Sequence, residues 1–350
     1  MSARYLTPLG GAYLFHTMTD NTSGKRCSGD EAIDRAVRPK SFGEYVGQEQ
    51  IKSNLSIMVE AARQRGEPVD HLLFCGPPGL GKTTIANIIA NEMGAKLHTT
   101  SGPALEKKAD LVGILLGLGE NDVLFIDEIH RMKMSIEELL YPAMEDFHVE
   151  AVVGTGARAR AVKLPLKPFT LVGATTLAGL ISNPLRDRFG YVGRLQYYSV
   201  DELKGIVLRS ADKMRISIGE MGAVEIAQRS RGTPRLANRF LRRLRDFGQV
   251  LGDGVICPKI AREALEALGI DAEGLDEMDR RIVLAIIDHF DGGPVGIETL
   301  GASVGEVTQT IEEVHEPYLV QQGFLRRTSR GREATRKAYN HFGRRYTHED

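Results

Sequence analysis

A glycine-rich loop between two apolar stretches constrains the fold of this chain more than any other feature. Gly76–Thr84 reads GPPGLGKTT, which fits the phosphate-binding pattern G-x-x-x-x-G-K-[ST]. The run Leu72–Cys75 before the loop is short and apolar, as in a buried parallel strand, and Thr83–Ala90 after it predicts a helix. A strand, a loop and a helix in this order place backbone N–H groups and a helix N-terminus around an anion. The sequence therefore predicts a site that binds a nucleoside triphosphate.

The residue types of the loop assign individual roles. Lys82 is expected to reach the β- and γ-phosphates, and the hydroxyl of Thr83 is expected to bind Mg²⁺. The other predicted members of the phosphate cradle are Gly79, Gly81 and Thr84.

Two acids follow a second apolar run. Val123–Asp127 is expected to form a buried strand, which places Asp127 and Glu128 at its carboxyl end, the edge where ligands bind in open α/β sheets. We expect Asp127 to support Mg²⁺ through water and Glu128 to orient or deprotonate the attacking water. An isolated Asp-Glu pair is also typical of a helix N-terminus. Its position downstream of a phosphate loop favours the hydrolytic interpretation.

Further polar groups follow a third apolar run. Thr170–Thr175 is the third candidate strand, and Thr175 and Thr176 supply two hydroxyls at its end. We expect the hydroxyl of Thr176 to sense the γ-phosphate, although threonine is also common in strands for packing reasons. Downstream, Arg186 and Arg188 could present a planar guanidinium to a γ-phosphate. From the residues alone, a surface salt bridge is the better interpretation of either arginine.

Composition limits the class of protein. The chain has 350 residues, enough for two or three domains, and its hydrophobic fraction of 42% and charged fraction of 26% are typical of soluble globular proteins. No apolar run approaches the ~20 residues of a membrane span. Residues 1–35 lack the features of a secretory signal and are interpreted as a disordered tail or a misplaced start. Cys27, Cys75 and Cys257 show no metal or disulfide spacing, which predicts a cytoplasmic location.

The coarse pattern predicts several units. Residues 36–197 alternate apolar strands with helical stretches, which indicates a parallel sheet covered by helices. Within this region, Val149–Leu164 predicts a hairpin with a glycine turn. Later stretches are helical, with starts at Ser199 and Thr233, a hinge at 269–274, a helix over Asp276–Phe290 and a β-like segment at Phe324–Thr328.

The C-terminal end is basic although the formal net charge of the chain is −1. An uneven charge of this kind predicts a local anion-binding surface. The basic residues are Arg326, Arg327, Arg330, Arg332, Arg336, Lys337, Arg344 and Arg345.

These motifs, in this order, resemble the AAA+ ATPases and more narrowly the RuvB family of Holliday-junction branch-migration motors. The resemblance covers roughly residues 36–342. It implies an α/β fold with a large ATPase domain over 36–197, a helical lid over 198–270 and a winged helix over 271–345. Beyond the phosphate loop, it is carried by Val37–Gln48, Asp127–Arg131, Tyr141–Phe147, Pro184–Gly190 and Arg231–Arg239.

The resemblance also implies roles for individual residues. Arg188 would be an arginine finger presented to the nucleotide of the neighbouring subunit, with Arg186 as the second choice, and a finger in trans implies a homo-oligomeric ring, expected to be a hexamer. Arg235 would touch the nucleotide in cis, with Tyr198 beside it. The other residues implied at the nucleotide or at a subunit-facing edge are Val37, Arg38, Glu145, Asp146 and Phe147.

Two surfaces are implied for partners. The hairpin over 149–164 takes the position of the docking element for RuvA, the junction-binding partner, and its alternation predicts that Val149, Ala151 and Val153 are exposed on one face. The alternative is an ordinary extension of the sheet. RuvC is the other implied protein partner.

A winged helix is expected to contact DNA. Gly305–His315 takes the position of a recognition helix but is acidic, so the wing over 325–332 is the better candidate. Arg327 and Arg332, followed by Arg330, are expected to meet phosphates of duplex and four-way DNA without reading bases. The alternative is a solvated basic tail.

The chain departs from the family pattern at two informative positions. Leu177 stands where the family has an arginine after the sensor threonines, and Ser329 stands where the wing has a proline. The first change leaves open how the nucleotide state is relayed, and the second would loosen the wing, because proline fixes φ.

The resemblance thus implies an ATP-driven motor that moves four-way junctions in recombinational repair. A non-translocating AAA+ switch, similar to a clamp loader or an initiator, is the alternative. A protein-remodelling ATPase is a third possibility, which the winged-helix signal disfavours.

Overall fold

The structure, a computed structural model, describes residues 37–153 and 160–346. The described residues fall into two compact units, 37–275 and 276–346. The N-terminal tail and the glycine turn of the hairpin predicted from the sequence lie outside the described residues. Among the helices that the structure describes, none is long and apolar enough to cross a membrane.

The first unit is built on a five-stranded parallel sheet. The strands are β1 (Leu72–Cys75), β2 (Leu97–Ser101), β3 (Val123–Asp127), β6 (Thr170–Thr175) and β7 (Tyr191–Arg194). Their spatial order is β2-β3-β6-β1-β7. Because β6 pairs with both β1 and β3, the strand that ends at the predicted sensor lies between the phosphate-loop strand and the acidic strand. The predicted limits of β1, β3 and β6 are confirmed.

Side-chain alternation along these strands supplies two hydrophobic cores. In β1, Leu72 and Phe74 face one core, whereas Leu73 and Cys75 face the other. The first core also contains lid residues such as Phe240, which is 1% exposed. The sheet and the lid therefore share one hydrophobic core. The buried apolar side chains of this core hold the lid next to the sheet.

Helices cover both faces of the sheet. The helix after the phosphate loop begins at Lys82, one residue before the predicted start, and runs past the predicted end. The helices of this region are α1 (Glu49–Arg65), α2 (Lys82–Met93), α3 (Lys108–Leu116), α4 (Met134–Glu145) and α5 (Asn183–Arg186).

The predicted hairpin is present as β4 (His148–Val153) and β5 (Arg160–Pro165), which pair antiparallel. The prediction that Val149 is exposed is wrong: this side chain is 0% exposed and packs in the second core. Val149 pairs with Leu164 at the base of the hairpin, where α4 packs against β4. Val162, two positions along β5, is 38% exposed. The apolar face therefore opens to solvent only beyond its buried base.

The lid is a helical bundle. Its first helix, α6 (Val200–Met214), begins with a capping box in which Ser199 and Glu202 bond each other's backbone N–H groups. Both predicted helix starts are confirmed. The remaining lid elements are β8 (Ser217–Ile218), α7 (Glu220–Arg229), α8 (Pro234–Leu251), β9 (Val255–Ile256) and α9 (Pro258–Ala267).

The second unit consists of helices followed by a β-hairpin. The predicted recognition helix over Gly305–His315 is wrong in its limits, because Gly305, with φ +69°, ends the preceding helix. The helical segment instead starts at Thr308, passes through a π-helical turn at Ile311–His315 and continues to Gln321. The elements are α10 (Glu277–His289), α11 (Ile297–Val304), α12 (Thr308–Thr310), α13 (Glu316–Gln321), β10 (Leu325–Thr328), β11 (Gly331–Ala334) and α14 (Arg336–His341).

The hairpin of β10 and β11 forms the wing. Thr328 pairs with Gly331, so Ser329 and Arg330 make a two-residue turn. Gly331 has φ +145°, and a Cβ there would lie 2.3 Å from the carbonyl oxygen of Val295. Only glycine fits at this close approach of two backbones.

Candidate functional site

The phosphate loop connects the end of β1 to the start of α2. Gly79 and Gly81 have φ values of +85° and +104°. A Cβ on Gly79 would lie 3.2 Å from the Cβ of Arg235, and one on Gly81 would lie 3.1 Å from the hydroxyl of Tyr45. The loop needs glycine for its backbone conformation and for this packing, and it leaves its N–H groups at the N-terminus of a long helix.

Lys82 is the first residue of α2 and is buried. Its Nζ donates hydrogen bonds to the carbonyl oxygens of Gly76 and Pro77, at 2.6 and 3.0 Å. Burial lowers the pKa of Lys82, and the negative charges of Asp127 and Glu128 oppose this shift. The two acids at the end of β3 thus act electrostatically on the lysine of the loop.

The acidic pair lies where the sequence predicted, at the end of β3. Glu128 adopts a left-handed conformation with φ +48°. Its Oε2 accepts a hydrogen bond from the hydroxyl of Thr176 at 3.0 Å. The backbone N–H of Glu128 donates to Oδ1 of Asp127 at 3.1 Å. The structure therefore brings Glu128 and the predicted sensor Thr176 into direct contact, which the sequence did not show.

Sequence reasoning assigned no role to His130, which lies beside this pair. Its Nδ1 is 3.3 Å from Oε2 of Glu128 and 2.9 Å from the hydroxyl oxygen of Thr175. The Thr175 side chain is fully buried and also accepts a hydrogen bond from the N–H of Leu177. His130 lies two residues after Glu128, within the stretch Asp127–Arg131 that carries the resemblance. This proximity to the acidic pair was the signal by which the sequence could have indicated a role for His130.

Two buried tyrosines join the phosphate loop to the lid. The hydroxyls of Tyr45 and Tyr198 are 2.9 Å apart, and that of Tyr198 donates to the carbonyl oxygen of Leu80 at 3.2 Å. Burial raises the pKa of Tyr198 to about 12. Both hydroxyls therefore remain protonated and able to donate. Tyr198 contacts the loop from the lid side, and Tyr45 carries no role in the sequence-based prediction.

The lid places Arg235 against the loop. Its side chain starts at the second position of α8 and lies over Gly79, next to Thr233. Val37, predicted near the adenine, is buried, and Arg38 beside it is partly exposed.

The residues predicted at the subunit-facing edge separate into different environments. Glu145 and Asp146 are exposed at the end of α4. The ring of Phe147 instead packs against His71 and Phe169, with centroids 6.4 and 5.9 Å away. Phe147 thus contributes to the second core, and Glu145 is the member of the trio that contacts a predicted catalytic residue.

That residue is Arg188, just after α5. Its guanidinium lies over the ring of Tyr141 at 4.3 Å, its Nε is 3.1 Å from Oε1 of Glu145, and its Nη1 donates to the carbonyl oxygen of Pro184. Arg186, the second choice for the finger, donates from Nη2 to the carbonyl oxygen of Ala178 at 2.6 Å.

The wing presents its arginines unequally. Arg327 and Arg330 are exposed, and within the described ranges Arg330 has no ion pair. Arg332, expected to meet phosphates, is buried: its guanidinium donates to Glu316 at 2.8 Å and to Glu312 at 2.9 Å. Burial alone would lower the pKa of Arg332, but hydrogen bonds to Glu316 and then Glu312 outweigh it and raise the pKa. Arg332 fastens the wing to the helical segment and does not present its charge at the surface.

A buried cluster of Asp276, Asp279 and His315 in the second unit also escaped sequence analysis. The two aspartates form a reciprocal capping box at the start of α10, and Nδ1 of His315 is 2.7 Å from Oδ1 of Asp279. The ligand atoms of the three residues lie within 4.8 Å of one another. Because the carboxylates already accept N–H groups of their own helix, the cluster is a helix cap joined to the helical segment.

The first unit defines a class of protein. One strand separates the phosphate-loop strand from the acidic strand, and a helical lid packs around the loop, so the chain is a P-loop ATPase of the AAA+ class followed by a winged helix. Three consecutive family models match it: the Holliday junction DNA helicase RuvB P-loop domain over 37–195, the RuvB AAA lid domain over 198–271 and the RuvB C-terminal winged helix domain over 272–343. The chain belongs to the RuvB family of Holliday junction branch-migration ATPases.

Solved structures agree with this assignment. The RuvB Holliday junction branch migration motor of Thermotoga maritima is 50% identical, covers 89% of this chain and 99% of its own, and superposes with a TM-score of 0.80. Two point mutants of that protein match at 50% identity with TM-scores of 0.81 and 0.79, each covering 88% of this chain and 99% and 98% of their own. The motor interpretation is supported, and the non-translocating switch is not.

Proposed function

We propose that the sheet edge hydrolyses ATP with the division of labour predicted from the sequence. Lys82 and the loop N–H groups bind the β- and γ-phosphates, and Glu128 activates the attacking water. The observation that supports this assignment is the contact between Glu128 and Thr176, which brings the proposed general base and the proposed sensor together at the ends of the neighbouring strands β3 and β6. Thr176 would hold the Glu128 carboxylate until the γ-phosphate competes for its hydroxyl.

The donor set also suits Mg²⁺. The hydroxyl of Thr83, in the first turn of α2, and the carboxylate of Asp127 are hard oxygen ligands, and Mg²⁺ is bound by few protein oxygens plus water and phosphate. We assign Thr83 and Asp127 as its protein partners. When bound, the ion would neutralise charge on the β- and γ-phosphates.

Arg188 would complete the site of the neighbouring subunit. The Arg188 side chain is partly exposed, and Glu145, whose Oε1 lies 3.1 Å from its Nε, is exposed. A ring, proposed to be a hexamer, follows because each nucleotide then needs residues from two subunits. On this proposal, hydrolysis is coupled to contacts between subunits.

The hairpin of β4 and β5 is the proposed docking element for RuvA. The support is its apolar face, which continues from the buried Val149 and its half-buried partner Leu164 to the exposed Val162. RuvC is proposed as a further partner in junction processing. The cytoplasm is the proposed location, supported by the free thiols of Cys75 and Cys257.

The wing is the proposed contact for duplex and four-way DNA. Arg327 and Arg330 would meet phosphates, and Arg332 would hold the wing in place by its ion pairs with the helical segment. Phosphate contacts carry no sequence preference, which suits a motor that must pass any sequence.

The test is ATP-dependent migration of a synthetic four-way junction by the full chain with RuvA. We expect migration with the wild-type chain and none with Lys82→Ala. DNA-stimulated hydrolysis without junction movement would contradict the proposal.

A further inference from the structure

The surroundings of Arg188 are more ordered than an exposed finger requires. Its guanidinium carbon lies 4.3 Å from the ring centroid of Tyr141, and Nη1 donates to the carbonyl oxygen of Pro184 at 2.6 Å. Glu145 approaches Nε to 3.1 Å, but Nε makes no hydrogen bond to any residue within 37–153 and 160–346. The pair is close but poorly aligned. The ring and one carbonyl therefore set the direction of the guanidinium more than the glutamate does.

The Tyr141 ring is itself held in place by a hydrogen bond from its hydroxyl. Its hydroxyl donates to Oε1 of Glu137 at 2.8 Å, and burial raises the pKa of this hydroxyl, so it remains a donor. Glu137 is only 7% exposed and lies one turn before Tyr141 on α4. A long aromatic side chain fixed at both ends by packing and a hydrogen bond offers a rigid surface for a cation.

The same carboxylate oxygen reaches the short helix before the finger. The hydroxyl of Ser182 donates to Oε1 of Glu137. Ser182 is also the N-cap of α5, where its Oγ accepts the N–H of Leu185 at 3.3 Å. Glu137 thus links the ring beneath the guanidinium to the start of the helix that carries Arg188 two residues after its end.

We propose that Glu137, Tyr141 and Ser182 form a finger platform, a set of positioning residues that aims Arg188 at the nucleotide of the neighbouring subunit. The platform rests on the proposed role of Arg188 in trans. None of its members touches the nucleotide in this assignment. They act through the finger, by limiting the directions that a long, flexible side chain can take before the subunits meet.

A purely structural role is the competing explanation. A buried carboxylate needs hydrogen-bond donors, and Tyr141 and Ser182 supply two. That explanation predicts that variants of the platform unfold more easily. It predicts no loss of ATP hydrolysis that is confined to the nucleotide site of the neighbouring subunit. The two explanations differ in which subunit of a mixed ring fails to hydrolyse ATP.

The experiment is complementation between full-length variants. Tyr141→Leu removes the ring but leaves its own phosphate loop intact, whereas Lys82→Ala disables the loop but keeps its finger and platform. Alone, Tyr141→Leu is expected to lose roughly 10-fold to 100-fold in kcat, with KM for ATP little changed, because its own loop is untouched. In mixed rings, the loop of Tyr141→Leu meets the finger of Lys82→Ala, and hydrolysis should rise well above the sum of the two separate variants.

A parallel mixture separates the platform from the proposed function. Arg188→Ala mixed with Lys82→Ala should show the same rise. If this mixture shows none, the assignment of Arg188 in trans fails. If it does, but Tyr141→Leu hydrolyses ATP at the wild-type rate or gains nothing from mixing, the platform alone is overturned.

A milder variant guards against loss of folding. Tyr141→Phe keeps the ring over which the guanidinium lies and removes only the link to Glu137. We expect a smaller loss of kcat than for Tyr141→Leu, again recovered by mixing with Lys82→Ala. A defect in Tyr141→Phe that mixing fails to recover would overturn the platform.

Discussion

The nucleotide edge of the sheet and the wing of the second unit hold their charges in opposite ways. At the sheet edge, the Glu128 carboxylate accepts a hydrogen bond from the neutral hydroxyl of Thr176, and its side chain is 30% exposed. In the wing, the Arg332 side chain is 9% exposed and is paired with Glu312 and Glu316. The first charge can change partner at small cost, and the second cannot.

This difference follows from desolvation. Releasing a carboxylate from one neutral donor at a solvated site exchanges one hydrogen bond for another. Breaking a buried ion pair leaves a charge in a poorly solvated position, which is far more costly. We infer that the Glu128 carboxylate can exchange its hydroxyl partner for another donor, whereas the Arg332 guanidinium is held in place by its buried counter-ions. The variants below test that distinction.

Glu128→Gln should give the largest effect. Glutamine can still bond Thr176 but cannot accept a proton from water, so we expect kcat for hydrolysis to fall by roughly 10²–10⁴ while ATP binding persists. Steady-state hydrolysis and binding of a fluorescent ATP analogue measure the two quantities. The control is Glu120→Gln, an exposed acid in the turn before β3, which should leave both unchanged.

A fall in ATP affinity as large as the fall in kcat would contradict this prediction. Glu128 would then contribute to nucleotide binding, and the proposed catalytic role of its carboxylate would be wrong.

Arg332→Ala tests whether the buried charge of the wing stabilises the fold. Removing Arg332 takes away the hydrogen bonds that the buried Glu316 carboxylate accepts and leaves it only the ion pair with the exposed Arg327, at 3.3 Å. Breaking a buried pair completely costs about 3–5 kcal/mol, and we expect the loss of stability to approach that value. We expect thermal unfolding of the full chain to show an earlier transition, and DNA binding to weaken as the wing loses order. Arg326→Ala, at an exposed arginine paired with Glu333, should change the unfolding temperature little.

Adding Glu316→Gln to Arg332→Ala should recover part of the lost stability, because no buried charge then remains. If Arg332→Ala unfolds at the wild-type temperature and only reduces the salt dependence of DNA binding, Arg332 is a phosphate contact after all.

The contrast also explains what could be read from the sequence. The strands β1, β3 and β6 are continuous apolar runs because helices cover both faces of the sheet, so their limits were predicted as observed. β2 was missed because its residues, Leu97–Ser101, are largely polar and lie at the edge of the sheet. Short β7 lies at the other edge.

Properties that depend on side-chain partners were harder to predict. A count of basic residues cannot distinguish Arg330 at the turn of the wing from Arg332, whose partners lie 16 and 20 residues away along the chain. Alternation along the hairpin likewise predicted Val149 to be exposed, although it is buried. Alternation assigns a side chain to a face of the hairpin, but whether that face is covered depends on elements distant in the sequence. The contact between Glu128 and Thr176 likewise depends on strand order.

Thr176→Val tests the contact at the sheet edge. Valine keeps the shape of threonine but cannot donate to Glu128, and a hydrogen bond to a charged group contributes about 1.5–3 kcal/mol. We therefore expect kcat to fall by roughly 10-fold to 150-fold if that bond orients the base in the transition state. Thr176→Ser, which restores the hydroxyl, should recover most of the rate. A loss for Thr176→Ser together with the full rate for Thr176→Val would show that the methyl group, not the hydroxyl, matters.

Arg330→Ala should have the smallest effect and tests the exposed charge of the wing. Arg330 lies at the turn between β10 and β11 and, within the described part of the chain, has no ion pair to lose, so stability should not change. If it contacts one phosphate, the slope of log K against log salt should decrease in magnitude by about 0.9, equally for unrelated duplex sequences. Arg63→Ala, on α1 of the first unit, is the control and should leave the slope unchanged. A loss of affinity for one sequence only would mean that the wing reads bases. The size of the stability change distinguishes the two arginines of the wing. We expect no change for Arg330→Ala, because the Arg330 side chain is exposed, and a large loss for Arg332→Ala, because the Arg332 side chain is buried.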